Sequence, residues 1–128
     1  MFTLAQIDDI HQRLGKQHTL PQYLQALNAI GVVKCESFLA DGHTEYFGTD
    51  SQKLVSPPVH QRLRIAGKSS REDLLIHLDL HQQGKTSYLE MSQGLASAGV
   101  EKWTFDTGKM IISWYDKAGN ELLGEAVG

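Results

Sequence analysis

The spacing of apolar residues changes twice along the chain, from a helical period to a two-residue period. In the first 30 residues, apolar side chains recur every three or four positions, which predicts two helices. A capping box at Thr3–Gln6 begins the first helix, and Gly15 ends it. Thr19 caps the second helix, and Gly31 ends it. The chain therefore opens with a helix pair.

A region of period-two alternation follows the helix pair. Its predicted strands are Val32–Ala40, His43–Gly48, a short one near Lys53–Val55 and another over Gln61–Ala66. Between the first two strands, Asp41 and Gly42 carry the signature of a type I′ hairpin turn. Pro57 and Pro58 cannot donate ladder hydrogen bonds, so the third strand is predicted to stop before them.

The second half of the chain begins in the same way. Capping boxes at Ser69–Glu72 and Ser87–Glu90 predict two further helices, which Gly84 and Gly99 end. Three predicted strands follow: Val100–Asp106, Lys109–Asp116 and Glu121–Ala126. The order of the first half is therefore repeated.

This order suggests a degenerate α-α-β-β repeat. Gly15 and Gly84 are 69 positions apart, and Gly31 and Gly99 are 68 apart. The alternative is that unrelated helices each end at glycine, which is common. We predict one α+β domain over residues 1–128, with structural halves at 3–66 and 69–126. Helix pairs would cover one face of a mostly antiparallel sheet of five to seven strands.

Both faces of the predicted sheet carry apolar side chains. Phe38 points away from Cys35, and Tyr115 points away from Trp114. An antiparallel sheet with one wet face would alternate more cleanly. We therefore expect the second face to be covered by the chain itself, by another subunit or by a ligand, with Phe38, Trp103 and Trp114 as interface residues.

Composition and charge exclude several classes of protein. The chain is 41% hydrophobic and 21% charged, with a formal net charge of −3, so no basic field favours nucleic acid or an anionic membrane. Its start lacks a positive n-region with an apolar run, and no stretch approaches the ~18 apolar residues of a membrane span. The lone cysteine excludes an internal disulfide. We expect a cytoplasmic protein without a cofactor.

Six histidines are the main candidates for chemistry. His77 and His81 are four positions apart on the third predicted helix, which is a metal-binding spacing. A third ligand would come from His43, His60 or Glu45. The alternative is that His81 interacts with the helix dipole and His77 lies on the surface. A small-ligand pocket built on the same residues would gather His43, Tyr46, His77 and His81.

Other motifs are incomplete. Gly84-Lys85-Thr86 matches the end of a phosphate-binding loop, but Asp79 stands where the first glycine is required. Cys35 lies in mid-strand without a histidine beside it, which favours a small buried apolar role over a nucleophilic one. No complete catalytic motif is present, so the sequence favours a non-enzymatic protein.

Four segments carry a resemblance to a known group. They are residues 41–48, DGHTEYFG; residues 81–88, HQQGKTSY; and residues 98–103, AGVEKW, together with 115–121, YDKAGNE. The chain resembles the YbcV/YdfO-like small bacterial and prophage proteins, often labelled phage envelope protein and treated as a domain of unknown function. The resemblance covers Phe2 to about Glu125. It implies a compact α+β domain of phage-associated origin and supplies no active site.

Two hypotheses for function follow. The first is a non-enzymatic binding or regulatory module that acts through protein–protein contact and self-associates, for instance as a homodimer. The second is a small-ligand or metal-binding protein, with hydrolysis as an option, whose pocket contains the histidines. Since a fold by itself assigns no function, the site has to decide between them.

Overall fold

The computed structural model describes residues 2–14, 19–49 and 51–127. These residues contain four helices and six strands. The helices are α1 (Leu4–Leu14), α2 (Leu20–Ala29), α3 (Arg71–Gln82) and α4 (Tyr88–Ser97). The strands are β1 (Val32–Phe38), β2 (Thr44–Gly48), β3 (Lys53–Val55), β4 (Val100–Asp106), β5 (Ile111–Asp116) and β6 (Glu121–Ala126). Each half therefore runs α-α-β-β-β.

All six strands join one antiparallel sheet in the order β3-β2-β1-β4-β5-β6. The two halves meet at its centre, where β1 pairs with β4 and Glu36 lies opposite Thr104. The α+β class and the antiparallel sheet are confirmed. The two three-strand halves form one continuous sheet because their first strands, β1 and β4, pair with each other.

One sequence offset relates the two halves. The first residues of β1 and β4, Val32 and Val100, are 68 positions apart, and so are those of β3 and β6. Six of the seven described residues with positive φ obey the same offset, as Gly31 and Gly99, Gly42 and Met110, and Ser51 and Gly119. These spacings support the structural duplication over residues 3–66 and 69–126, which stays our prediction.

The helix pairs cover the two ends of one sheet face, here called the inner face. Under α1 and α2, one core cluster contains Leu24, Leu27 and Cys35. Under α3 and α4, a second contains Leu95, Trp103 and Trp114. Phe105, near the middle of the sheet, borders both clusters. The pairs therefore bury separate cores and leave the centre of the inner face between them.

The opposite face, here called the outer face, is covered by side chains of its own strands. Lys102 forms an ion pair with Glu36 and lies 5.8 Å from the ring centre of Phe38. Lys34 and Lys53 each lie 5.6 Å from the ring centre of Phe47. Long lysine stems shield apolar rings while their charges stay in water. The apolar positions of this face are thus shielded in part by the chain itself.

The hairpin turn after β1 differs from the prediction. A type I′ turn needs positive φ at both central residues, but Gly42 has φ +79° while Asp41 is not among the residues with positive φ. The loop is longer: the N–H of Phe38 donates to the carbonyl of His43, and Asp41 accepts from the N–H of His43 at 3.0 Å. Because this loop takes up Leu39 and Ala40, β1 ends at Phe38.

The strand predicted over Gln61–Ala66 is wrong. The N–H of Leu63 bonds to Ala40 and that of Ala66 bonds to Ala96, so the segment has no single neighbour with which to form a ladder. The cap of α3 is Ser70 rather than Ser69, because the Ser70 hydroxyl accepts the N–H of Asp73.

The start of β5 differs from the predicted start at Lys109. β5 begins at Ile111 because Met110 takes a left-handed conformation, with φ +57°. The capping boxes at Thr3–Gln6 and Ser87–Glu90 are present. Gly15, the predicted end of α1, lies outside the described residues.

Candidate functional site: a cleft between the helix pairs

A cleft of about 1260 Å³ lies over the centre of the inner face. Its floor comes from the central strands β1 and β4 and their neighbours β2 and β5. Its walls come from α1 and α2 on one side and from α3 and α4 on the other. The cleft exists because the helix pairs pack over the ends of the sheet rather than over its middle.

The side of the cleft built by the first half carries hydroxyl groups. Ser37 and Thr44, paired across β1 and β2, have their hydroxyl oxygens 2.9 Å apart. The phenol of Tyr46 interacts with Thr44 and with the phenol of Tyr23. The Tyr23 hydroxyl in turn lies 3.4 Å from His11 Nδ1. A chain of polar groups therefore runs from α1 to the central strand.

The side built by the second half is aromatic and apolar. Trp103 and Trp114 are cross-strand partners, 8% and 5% exposed. Tyr88 meets the Trp103 ring edge-on, with ring centres 6.2 Å apart. Met91 and Ile112 complete this side. Such rings supply a large contact area and favour edge-to-face or offset contacts with another ring.

The 68-residue offset explains why the two sides differ. It relates lining residues of the first half to lining residues of the second, in the pairs Tyr23/Met91, Cys35/Trp103, Ser37/Phe105, Thr44/Ile112 and Tyr46/Trp114. At each pair, the first half has a hydroxyl group or a thiol where the second half has an apolar or indole side chain. Equivalent positions thus make one polar side and one apolar side.

Burial keeps the titratable floor groups protonated. It raises the pKa of the Tyr46 phenol to about 12, with the neighbouring Cys35 and Asp8 adding to the effect. Burial also raises the pKa of Tyr23 and raises the pKa of the Cys35 thiol to about 12. At neutral pH these groups are uncharged, so the floor offers hydrogen bonds rather than charge.

Charge is confined to the rim of the cleft. Three exposed carboxylates line it: Asp8 on α1, Asp79 on α3 and Glu125 on β6. Among the described residues, no lysine or arginine lines the cleft. Of the histidines that the structure describes, His11 and His81 line the cleft. The rim is therefore acidic.

The structure brings together two of the four residues predicted for a ligand pocket. Tyr46 lies in the floor of the cleft and His81 in its α3 wall. The Nδ1 atom of His81 is 3.1 Å from the carbonyl of Thr86, which orients the ring. Both residues are thus available to a molecule in the cleft.

The other two predicted residues lie elsewhere. His43 stacks on Phe38 on the outer face, with ring centres 4.6 Å apart. Its ring nitrogens lie 2.5 Å from Asp41 and 3.3 Å from Glu45. His77 packs against Gly94 of α4, where a Cβ atom would meet its ring. His43 and His77 are therefore separated from the cleft by the sheet and by the α3–α4 contact.

The metal and interface predictions concern different surfaces. In the described ranges, no group of three or more histidine, cysteine or acidic residues could hold a metal ion. Binding of a metal by His77 and His81 alone stays a prediction. Of the predicted interface residues, Phe38 lies half-buried on the outer face, whereas Trp103 and Trp114 lie in the cleft floor.

Sequence reasoning missed most of the cleft. Ser37 and Tyr23 match no motif, so neither is among the predicted site residues. The signal that could have found the floor is the 68-residue offset, which pairs Cys35 with Trp103. Applied to each strand of the first half, the offset gives the equivalent residue in the second half, on the other side of the sheet centre.

The fold and the cleft define a class of protein: an α+β domain in which two helix pairs flank a half-open cleft over one antiparallel sheet. The chain belongs to the family described as Protein of unknown function (DUF1398), whose model matches residues 8–126. This match includes α1 from residue 8 onward, the other three helices and all six strands. No curated protein matches the chain. No helix in the described ranges has the length and apolar character needed to cross a membrane.

Proposed function

We propose that this protein is a non-enzymatic binding protein whose cleft holds a small organic molecule. The observation that supports the proposal is the open space of about 1260 Å³ between the helix pairs, with aromatic rings on one side and hydroxyl groups on the other. Small-molecule sites are concave and mostly apolar, with a few placed polar groups. The cleft has each of these properties.

The chemistry of the floor favours binding over catalysis. The Cys35 thiol is held neutral, since burial raises its pKa to about 12, and a neutral thiol is a poor nucleophile. The phenols of Tyr23 and Tyr46 are likewise protonated at neutral pH. They can donate hydrogen bonds to a bound molecule, or accept them, without exchanging a proton with it.

A fluorescence titration tests the proposal. The only two tryptophans of the chain, Trp103 and Trp114, lie in the cleft floor, so their emission reports its occupancy. The neutral dye N-phenyl-1-naphthylamine accepts energy from excited tryptophan. We expect a saturable one-to-one quenching of tryptophan emission. Absence of saturable binding of this dye, and of the naphthyl probes used below, would refute the proposal.

A matched pair of variants locates the binding. Ser37 corresponds to Phe105, so Ser37→Phe places a ring in the cleft while losing the hydroxyl contact with Thr44. We expect a folded protein with at least about tenfold weaker dye binding, because the ring occupies ligand space. Thr104→Phe enlarges the same central strand pair on the outer face and should leave binding unchanged. Equal binding by both variants would place the dye outside the cleft.

Self-association or contact with another protein is our second proposal. It is supported by exposed apolar side chains on the second helix pair: Leu75 at 37%, Leu89 at 42% and Ile76 at 55%. Sedimentation velocity over a concentration series tests it. A dimer at micromolar concentration would support the proposal, and a monomer throughout would refute it.

The remaining proposals come from the resemblance and the sequence. We propose a prophage-type origin among the YbcV/YdfO-like proteins and a cytoplasmic location. Neither proposal affects the argument for the cleft.

A further inference from the structure

The rim of the cleft has uncompensated negative charge. In the part of the chain that the structure describes, neither Asp8, Asp79 nor Glu125 forms an ion pair. Because no described lysine or arginine lines the cleft, no positive side chain offsets these carboxylates there. A half-open cavity with apolar walls concentrates such a field. The cleft therefore attracts cations and repels anions.

The two described histidines that line the cleft, His11 and His81, form no ion pair with the rim carboxylates. His11 Nδ1 faces the hydroxyl of Tyr23 at 3.4 Å, and His81 Nδ1 faces the carbonyl of Thr86 at 3.1 Å. Both contacts are with neutral groups. Besides these two imidazoles, the described acidic and basic side chains that line the cleft are the three carboxylates.

Aromatic rings in the cleft add to the preference for a cation. The faces of indole and phenol rings carry negative potential and attract a cation within about 6 Å. Trp103, Tyr23 and Tyr88 supply such rings on both sides of the cleft. The cleft thus combines a negative rim with aromatic rings on both sides and with an apolar surface on the second-half side.

The polarity of the two sides sets an orientation. The apolar side around Trp103 and Trp114 suits a hydrocarbon or aromatic body. The hydroxyl side around Tyr46 suits a polar head group, and the charge of Asp8 reaches it, since Asp8 contributes to raising the pKa of Tyr46. A bound cation therefore makes its most favourable contacts when its charged end lies on the side of the cleft built by the first half.

We propose that the cleft takes an amphipathic organic cation, an aromatic or hydrocarbon body bearing an ammonium group. Its body lies against Trp103 and Trp114, and its ammonium group lies at the hydroxyl side near Asp8. This inference rests on the proposed function and names the class of ligand for the same cleft. It excludes carboxylates and phosphates of similar size, because the rim would repel them.

Three probes of equal body and different charge test the inference. At pH 7, 1-naphthylmethylamine is a cation, 1-naphthalenemethanol is neutral and 1-naphthoate is an anion. Titration calorimetry of the full chain in low salt should show the cation binding about tenfold more tightly than the alcohol, and the anion more weakly than either. The advantage of the cation should shrink in 0.5 M salt, because the rim carboxylates are exposed and therefore screened.

Substitutions of the rim carboxylates, with a matched control, test whether these carboxylates attract the cation. Asp8→Asn should weaken binding of the cation roughly threefold and leave the alcohol unchanged, the size expected for one exposed charge. The triple variant Asp8→Asn/Asp79→Asn/Glu125→Gln should remove most of the advantage of the cation. Asp9→Asn is the control, since Asp9 pairs with Arg13 and lies outside the cleft lining.

The outcomes separate this inference from the proposed function. If the alcohol binds as tightly as the cation, or the anion more tightly, the inference is refuted while the binding function stands. Equal effects of Asp8→Asn and Asp9→Asn would also refute it. If neither these probes nor the neutral dye bind, both proposals fail.

Discussion

The corner between α4 and β4 provides a quantitative test of how the two halves are joined. Gly99 follows α4 with φ +84°, and the connection from the first half packs directly against it. A Cβ atom at Gly99 would lie 2.6 Å from Ser69 Cα and 2.7 Å from the carbonyl oxygen of Lys68. Both are backbone atoms, so they can move away only if the connection itself moves.

Gly84, which follows α3, is a matched control. It also has positive φ, at +73°, but nothing lies within 4 Å of its Cβ position. Gly84→Ala should therefore cost only the left-handed backbone conformation, about 1–2 kcal/mol. Gly99→Ala should cost this amount and, in addition, the bonds that hold the connection. In one of these bonds, the N–H of Ser70 donates to the carbonyl of Ala98 at 2.8 Å. In another, the hydroxyl of Ser69 donates to the carboxylate of Asp116 at 3.2 Å.

These two bonds contribute about 0.5–1.5 kcal/mol each. Together with the backbone conformation, the expected loss for Gly99→Ala is about 2–5 kcal/mol, with a centre of about 3.5 kcal/mol. Urea unfolding followed by circular dichroism measures both variants. With a slope of about 1.5 kcal/mol/M, the midpoint should fall by about 1 M for Gly84→Ala and about 2 M for Gly99→Ala. Equal midpoints for the two variants would refute the docking of residues 68–70 on this corner.

Two further predictions concern pH and thiol chemistry. The backbone N–H of His43 lowers the pKa of Asp41, that of Asn120 lowers the pKa of Asp116, and hydrogen bonds from Lys53 and His43 outweigh burial to lower the pKa of Glu45. Because these folded-state pKa values lie below the unfolded ones, their stabilisation is complete above about pH 5 and disappears as the pH falls through the folded values. Urea midpoints at pH 7, 4.5 and 3 should therefore fall in that order, and a flat series would contradict the prediction. The Cys35 thiol should resist iodoacetamide at pH 8 in the folded protein, since burial raises its pKa to about 12, and should react readily in urea. Mass spectrometry measures the reaction, and equal rates in the two conditions would contradict the burial of the thiol.

Local patterns in the sequence predicted most of the secondary structure correctly. The capping box at Ser87–Glu90 and the glycines after α2, α3 and α4 mark element ends by short-range hydrogen bonding and backbone conformation, which depend on neighbouring residues alone. The two-residue alternation within each strand likewise puts Trp103 on one face with Phe105, and Trp114 on one face with Ile112, and all four line the cleft. The segment Gln61–Ala66 failed because a strand needs a continuous neighbour, and that is not a local property.

The sequence by itself determined the order of elements, the α+β class and the approximate repeat, since each follows from periodicity and end signals. Only the tertiary structure decided what the repeat does. Pairing of β1 with β4 places Ser37 opposite Trp103, and packing of the helix pairs over the sheet ends leaves the cleft between them open. It also decides which of two neighbouring residues reaches the cleft: alternation puts His43 and Tyr46 on opposite faces, and the helices cover the face of Tyr46. Successive strand residues point to opposite faces, and the choice of face depends on which helices cover it, which no local pattern contains.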